Sequence, residues 1–336
     1  MDFVRMAATL VVGAGGEQGG VLEKVQKGPG QRSVSTVAVS SDDARELGQA
    51  GFVCEQVLGQ GSVARVYRCE HRSGRIVAVK VLRRGIKKKI ESDIRGILSI
   101  AALARTVNPS AANMFVEGGQ LLEREADMYR ELRYGLRVAD AAKKAEAMVH
   151  IPTYIPELCT SSRLVYDYID ASPLDTVDPK DLPPSVSAGV VDVYSALMVG
   201  FGLCQCDVNT GNFLWNQDTQ KLTMIDMGGV VTLTPTVTKI VQEIHCTAGD
   251  TAGIRAIVKH DAVADLICVQ HRMLWAKKPV RFVAPMFSST LITFDMQDTF
   301  GFVSRGALVL SQTLVHLNHF VSFFDVMDKN RRLITT

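Results

Sequence analysis

The sequence has no C-x-x-C pair, no uninterrupted apolar run of about 20 residues and no excess of charge of one sign. Each absence removes a class of protein. Seven cysteines without paired spacing make neither a zinc site nor a disulfide framework. They read as thiols in a reducing compartment, with Cys204 and Cys206 buried beside a functional loop. Without a long apolar stretch, no bilayer-spanning helix is expected. A balance of 37 basic against 35 acidic side chains, net +2, offers no broad field for nucleic acid or anionic lipid, so no nucleic-acid partner is expected. The first twelve residues, with one Arg and an early Asp, make a poor signal or transit peptide and leave the compartment open.

What is present is an ordinary globular composition, 47% hydrophobic and 21% charged, in a chain of 336 residues. That length suits two packed lobes. Residues 1–50, rich in Gly, Ser and Gln and broken by Gly28-Pro29-Gly30, read as a loosely ordered leader. The glycine run from Gly13 to Gly19 lies in it, off register for a dinucleotide turn. From Phe52 the pattern changes: Val63 to Tyr67 and Ile76 to Leu82 predict a β-hairpin. Ile86 to Val107 and Gly119 to Val149 carry helical spacing, the second with Leu121, Leu122, Ala126, Tyr129, Leu132 and Leu136 as one apolar stripe. Between the hairpin and the first of these helices, the basic run Arg83 to Lys89 reads as a solvated face or as a phosphate, lipid or partner contact. Pro173 to Pro184 is a turn-rich connector, which divides the chain into 51–172 and 173–336. Val186 to Gly202 is expected as a helix buried on most sides, because it is short and contains Asp192.

The candidate chemistry begins at Gly59-Gln60-Gly61-Ser62, a glycine turn between strands whose backbone N–H groups can approach phosphate oxygens. Lys80, ending Val77-Ala78-Val79-Lys80 and 19 residues beyond Gly61, stands where a return strand would aim a lysine at phosphates. Its carboxylate partner has three candidates, Glu125, Asp127 and Glu131. On one continuous helix Asp127 and Glu131 share a face, and Glu125 points elsewhere. The sharpest signal is Asp207-x4-Asn212, a hairpin, then Asp226-x-Gly228. With that spacing an Asp orients an attacking hydroxyl while Asn212 and Asp226 hold Mg²⁺ on nucleotide phosphates. A calcium loop with Asp207, Asn209 and Asp218 near ligand positions one, three and twelve is the competing reading, opposed by Asn212 at the sixth position instead of Gly.

Taken in order, these residues resemble the UbiB (aarF-domain) atypical kinases over roughly residues 52–235. The most specific part is Gln205-x-Asp207-x4-Asn212-Phe213 with Asp226-Met227-Gly228, where Gln stands in place of the usual kinase His. Glu125-x-Asp127 resembles the family's Glu-x-Asp element, and Glu131 its helix glutamate. The glycine loop departs from the family's alanine-rich stretch, and Lys27-Gly28-Pro29-Gly30-Gln31 matches its Lys-x-Gly-Gln helix only loosely. The resemblance implies an α+β, bilobal protein-kinase-like fold with a strand-rich N-lobe, helical insertions and a helical C-lobe. It implies ATP at Gly59, Gly61, Ser62, Ala78, Lys80, Glu125 and Asp127, catalytic roles for Asp207, Lys80 and Glu131, and metal at Asn212 and Asp226. It further implies kinase or ATPase activity supporting ubiquinone synthesis, with a quinone-lipid precursor or quinone-biosynthesis proteins as partners, peripheral membrane contact and a mitochondrial or membrane-associated location. An ordinary Ser/Thr protein kinase and a nucleotide-binding pseudokinase scaffold are the alternatives. No Ala-Pro-Glu follows Asp226, which opposes the first, and the missing His keeps the second open.

Overall fold

A computed structural model of the chain describes residues 39–106, 123–246, 251–258 and 329–334, with single positions within 112–120, 261–269 and 310–317. The Gly13 to Gly19 run and Lys27 to Gln31 lie outside the described residues.

Within the leader expected over residues 1–50, residues 41–49 are helical. Ser41–Gln49 form helix α1, which Ser40 caps through its hydroxyl to the Asp43 N–H. Leu47 and Asp43 are its buried residues, and Asp43 accepts from Arg65 and from the Tyr67 hydroxyl. That docks α1 on the sheet beside it, and burial together with Asp43 pushes the Tyr67 phenol up to about 12.

The sheet runs β1(Phe52–Gln60)–β2(Ala64–His71)–β3(Ile76–Leu82)–β5(Arg163–Asp167), antiparallel throughout. Strand β3 has neighbours on both sides, and Val77, Ala78 and Val79 in succession are buried, as a strand covered on both faces requires. Cys54 and Cys69 face each other across β1 and β2 and are joined by a disulfide. The expectation of thiols throughout is corrected there; Cys159, Cys204, Cys206 and Cys268 are buried thiols outside any disulfide. Side chains meeting in register on adjacent antiparallel strands come close enough to bond whatever their spacing in sequence.

Helix α2 spans Ile86–Arg105 and α3 spans Met128–Lys144. The helix expected over Gly119 to Val149 is not continuous: it breaks at Ala126 and Asp127, and Asp127 caps α3 by accepting from the Arg130 N–H. The restart shifts the phase. The buried stripe of α3 is Met128, Leu132, Gly135, Val138 and Ala142, whereas Tyr129 and Leu136, expected inside, are exposed. Gly135 is the tightest point, because a Cβ there would lie 2.3 Å from Cζ of the buried Tyr154. Gly135→Ala should therefore destabilise by about 1–3 kcal/mol or more. An unchanged melting temperature would show that the ring can move aside.

A second sheet, β4(Val149–His150)–β9(Lys221–Met224)–β8(Phe213–Asn216)–β6(Ser172–Pro173), and the pair β10(Val230–Thr232)–β7(Leu203–Gln205) flank helix α4, Pro184–Phe201. Helix α4 is long and apolar enough to cross a membrane, but 72% of it is buried within the protein. Its Asp192, fully buried, accepts from the Met148 N–H and from Lys329 and Asn330 near the C-terminus. The helix closes at Gly202, whose φ of +58° is the left-handed cap that glycine adopts without strain. Helix α5, Pro235–Cys246, packs on α4, and α6, Ala252–Ile257, packs on α5.

Candidate nucleotide and metal site

Two strands bring the glycine turn and Lys80 together. The pairing of β1 with β2 is irregular between Val57 and Gly59, and the chain reverses at Gly61, whose N–H bonds to the Ala64 carbonyl. Lys80, on β3, reaches Glu131 with both carboxylate oxygens at 2.8 and 2.9 Å, and Asp226 Oδ2 at 3.0 Å. Burial opposes charge on this lysine, but Asp226 and Glu131 outweigh it and hold its pKa above the ordinary value. Glu131 is 2% exposed, and burial pushes it up to about 7 despite the pull of Lys80. Its place in the first turn of α3 gives it the favourable end of the helix dipole.

The other wall descends from the pair β7–β10. Asn212, in the turn Thr210–Asn212, donates through Nδ2 to the Asp207 carbonyl at 2.9 Å and to Asp207 Oδ2 at 3.0 Å. Asp226 follows β9 with φ +66°, a conformation in which Asp and Asn are several-fold enriched, and its Oδ1 accepts from the Gly228 N–H at 3.0 Å. Gln205 ties the two acidic loops to each other. Its Nε2 donates to the Asp226 carbonyl at 2.9 Å, and its Oε1 accepts from the Asp207 N–H at 3.2 Å. One amide supplies both a donor and an acceptor, so Gln makes both ties without titrating. Gly229 must lack a Cβ beside it, since that atom would sit 2.5 Å from Gln205 Oε1. In sequence Gln205 stands out only as a replacement for the usual kinase His; the further signal is a bifunctional amide two residues before Asp207.

These elements enclose a cleft of about 280 Å³. Gly59, Gly61, Ser62, Lys80, Glu125, Glu131, Asp207, Asn212 and Asp226 line it. Ala78 and Asp127 do not: Ala78 is buried within β3 and Asp127 is the cap of α3. Glu125 corrects the helical-phase argument. It ends the turn before the break instead of sharing α3, and so reaches the cleft, where burial and the charges of Asp226 and Asp207 raise its pKa. Glu131, not Glu125, bonds Lys80. The calcium-loop alternative loses its last position, because residues 213–216 form strand β8 and leave Asp218 in the turn beyond it.

Residues 53–257, more than half the chain, match the ABC1 atypical kinase-like domain. The chain belongs to the ABC1 atypical kinase-like family. It is 25% identical over 180 residues to the mitochondrial atypical kinase COQ8 of Saccharomyces cerevisiae, a match covering 51% of this chain and 35% of that protein. It is also 25% identical over 180 residues to the mitochondrial atypical kinase COQ8B of Rattus norvegicus, covering 52% and 34%. The chain thus spans about a third of the length of these relatives. The solved complex of Rv3197 with erythromycin from Mycobacterium tuberculosis shares the fold, with a TM-score of 0.57 at 14% identity over 83% of this chain and 77% of that one. The expected UbiB-type resemblance and kinase-like fold are borne out.

Membership of the ABC1 family implies nucleotide binding, and the charge of this cleft bears on how a nucleotide could enter. Among the described residues, Glu125, Glu131, Asp207 and Asp226 line it against Lys80 as the one cation. A polyphosphate would be repelled from such a surface without divalent cations to offset it. No cluster of three His, Cys, Asp or Glu able to hold a metal occurs among the described residues. Mg²⁺ needs no such cage, being held through one or two carboxylates and the substrate's own phosphates. The oxygen donors of Asp226 and Asn212 fit that ion.

Proposed function

We propose that this ABC1 domain binds ATP with Mg²⁺ and acts as an atypical kinase or ATPase. The observation that carries the reading is Lys80 Nζ held between Glu131 and Asp226, facing the Asp207–Asn212 pair across one cleft. Lys80 would contact phosphates, with Glu131 fixing its position. The turn carrying Gly59, Gly61 and Ser62 would cover the phosphates. Asp226 and Asn212 would hold Mg²⁺, which when bound offsets phosphate charge. Asp207 would orient the attacking hydroxyl or water by accepting its hydrogen bond. The family resemblance extends the reading to quinone-lipid synthesis, with a quinone precursor or its biosynthetic proteins as partners, at a mitochondrial or other membrane. Gln205 makes the structural ties between the acidic loops, so the missing His does not by itself argue for an inert scaffold.

Thermal unfolding tests the reading directly. Mg-ATP at about 100 times its Kd should add roughly 2.7 kcal/mol, with little effect from ATP in chelator. A melting temperature indifferent to Mg-ATP would remove nucleotide binding and the function built on it.

A further inference from the structure

We propose that Arg130 is a positioning residue that couples the Lys80–Glu131 ion pair to the loop carrying Asp226. The proposal rests on the nucleotide and metal reading above. Arg130 and Glu131 are consecutive on the first turn of α3 and therefore point about 100° apart. Glu131 turns to Lys80. Arg130 turns to the chain beyond Asp226, where Nη1 donates to the Gly228 carbonyl at 2.9 Å and Nη2 to the Val230 carbonyl at 2.6 Å.

Gly228 is also the residue whose N–H holds Asp226 Oδ1 at 3.0 Å. One residue is thus gripped by Arg130 at its carbonyl and grips the metal carboxylate at its N–H. Two acceptors two residues apart match the planar fork of a guanidinium, which the single ammonium of a lysine cannot reproduce. The fork is itself held in place: Tyr134 lies under it at 4.5 Å and bonds Thr232 Oγ1, which also accepts from Arg137. A seam of three α3 side chains therefore fastens the Asp226 loop and β10 to the helix that sets Lys80. A displacement of α3 that withdrew Glu131 from Lys80 would also release the backbone beside Asp226, so both halves of the centre form or fail together. Arg130 is half-buried, whereas Arg133 is exposed.

The test uses the full chain as Arg130→Lys, with Arg133→Lys as a control on the exposed face. Two readouts are taken: hydrogen exchange over residues 226–232 without ligand, and the Mg²⁺ concentration giving half-maximal thermal stabilisation at fixed ATP. Arg130→Lys should exchange faster over 226–232 with α4 unchanged, and should need roughly tenfold more Mg²⁺, the scale for losing a partner that orients a metal ligand. The control should match the parent in both. Unchanged exchange overturns the proposal, because the fork then holds nothing. Faster exchange with the parent's Mg²⁺ dependence also overturns it, leaving a structural contact. A parent that Mg-ATP does not stabilise overturns the nucleotide reading and the coupling with it, and that failure is visible before any variant is made.

Discussion

Replacing Asp226 by Asn should lower metal-dependent nucleotide turnover about a thousandfold and abolish stabilisation by Mg-ATP, while the ligand-free fold survives. The substitution is close to isosteric, and its backbone demand is met: the φ of +66° at this position suits Asn as well as Asp, and an alanine would add strain. The amide oxygen can still accept from the Gly228 N–H. What disappears is charge, both toward Lys80 at 3.0 Å and toward a cation. Lys80 keeps both carboxylate oxygens of Glu131, so the lysine is not left without an anionic partner. Turnover with an unchanged metal requirement would take Asp226 out of the metal site.

Lys80→Met should be the most destabilising change in the centre, by about 3–5 kcal/mol at pH 8, because it strands Glu131 as a buried charge without its cation. The pH dependence follows from the sign of the Glu131 shift. Burial raises its folded pKa from 4.5 to about 7 even with Lys80 present, and removal of Lys80 raises it further. A carboxyl with a raised folded pKa contributes stability that is fully present below its unfolded pKa and lost as pH rises through the folded one. The deficit of Lys80→Met should accordingly be smaller near pH 5 than near pH 8, rising by about 1.4 kcal/mol for each pH unit above about 7. Adding Glu131→Gln should recover part of it. Denaturant unfolding at the two pH values checks this, and a deficit independent of pH would show that Glu131 carries no stranded charge. Activity of the parent should run the opposite way. Lys80 is gripped by the ionised carboxylate, so turnover should fall as pH drops through about 7 even though the Glu131 proton favours the fold.

The acidic half of the site was legible in sequence because its parts are local. Asp207 and Asn212 lie five residues apart and their contact is made within one turn, and Asp226 follows a short hairpin whose strands alternate clearly. Lys80 was legible through its hairpin for the same reason. Its partner was not. Glu131 is 51 residues away, and the choice against Glu125 rested on a helix assumed continuous. Residue spacing fixes a face only within an unbroken helix, and the cap at Asp127 resets the phase, which placed Glu131 on Lys80 by a different geometry and returned Glu125 to the cleft.

By itself, then, the sequence carried the family and its kinase-like fold through the resemblance of its motifs, and it placed the hairpins and acidic loops because short-range spacing and alternation encode local conformation directly. Tertiary structure alone decided the cross-strand bond of Cys54 to Cys69, the bridging amide of Gln205 and the grip of Arg130 on Gly228 and Val230. Each is a contact between segments whose pairing depends on how strands register and helices pack. No periodicity along the chain records that, since the partners are chosen by distance in space and not by distance in sequence.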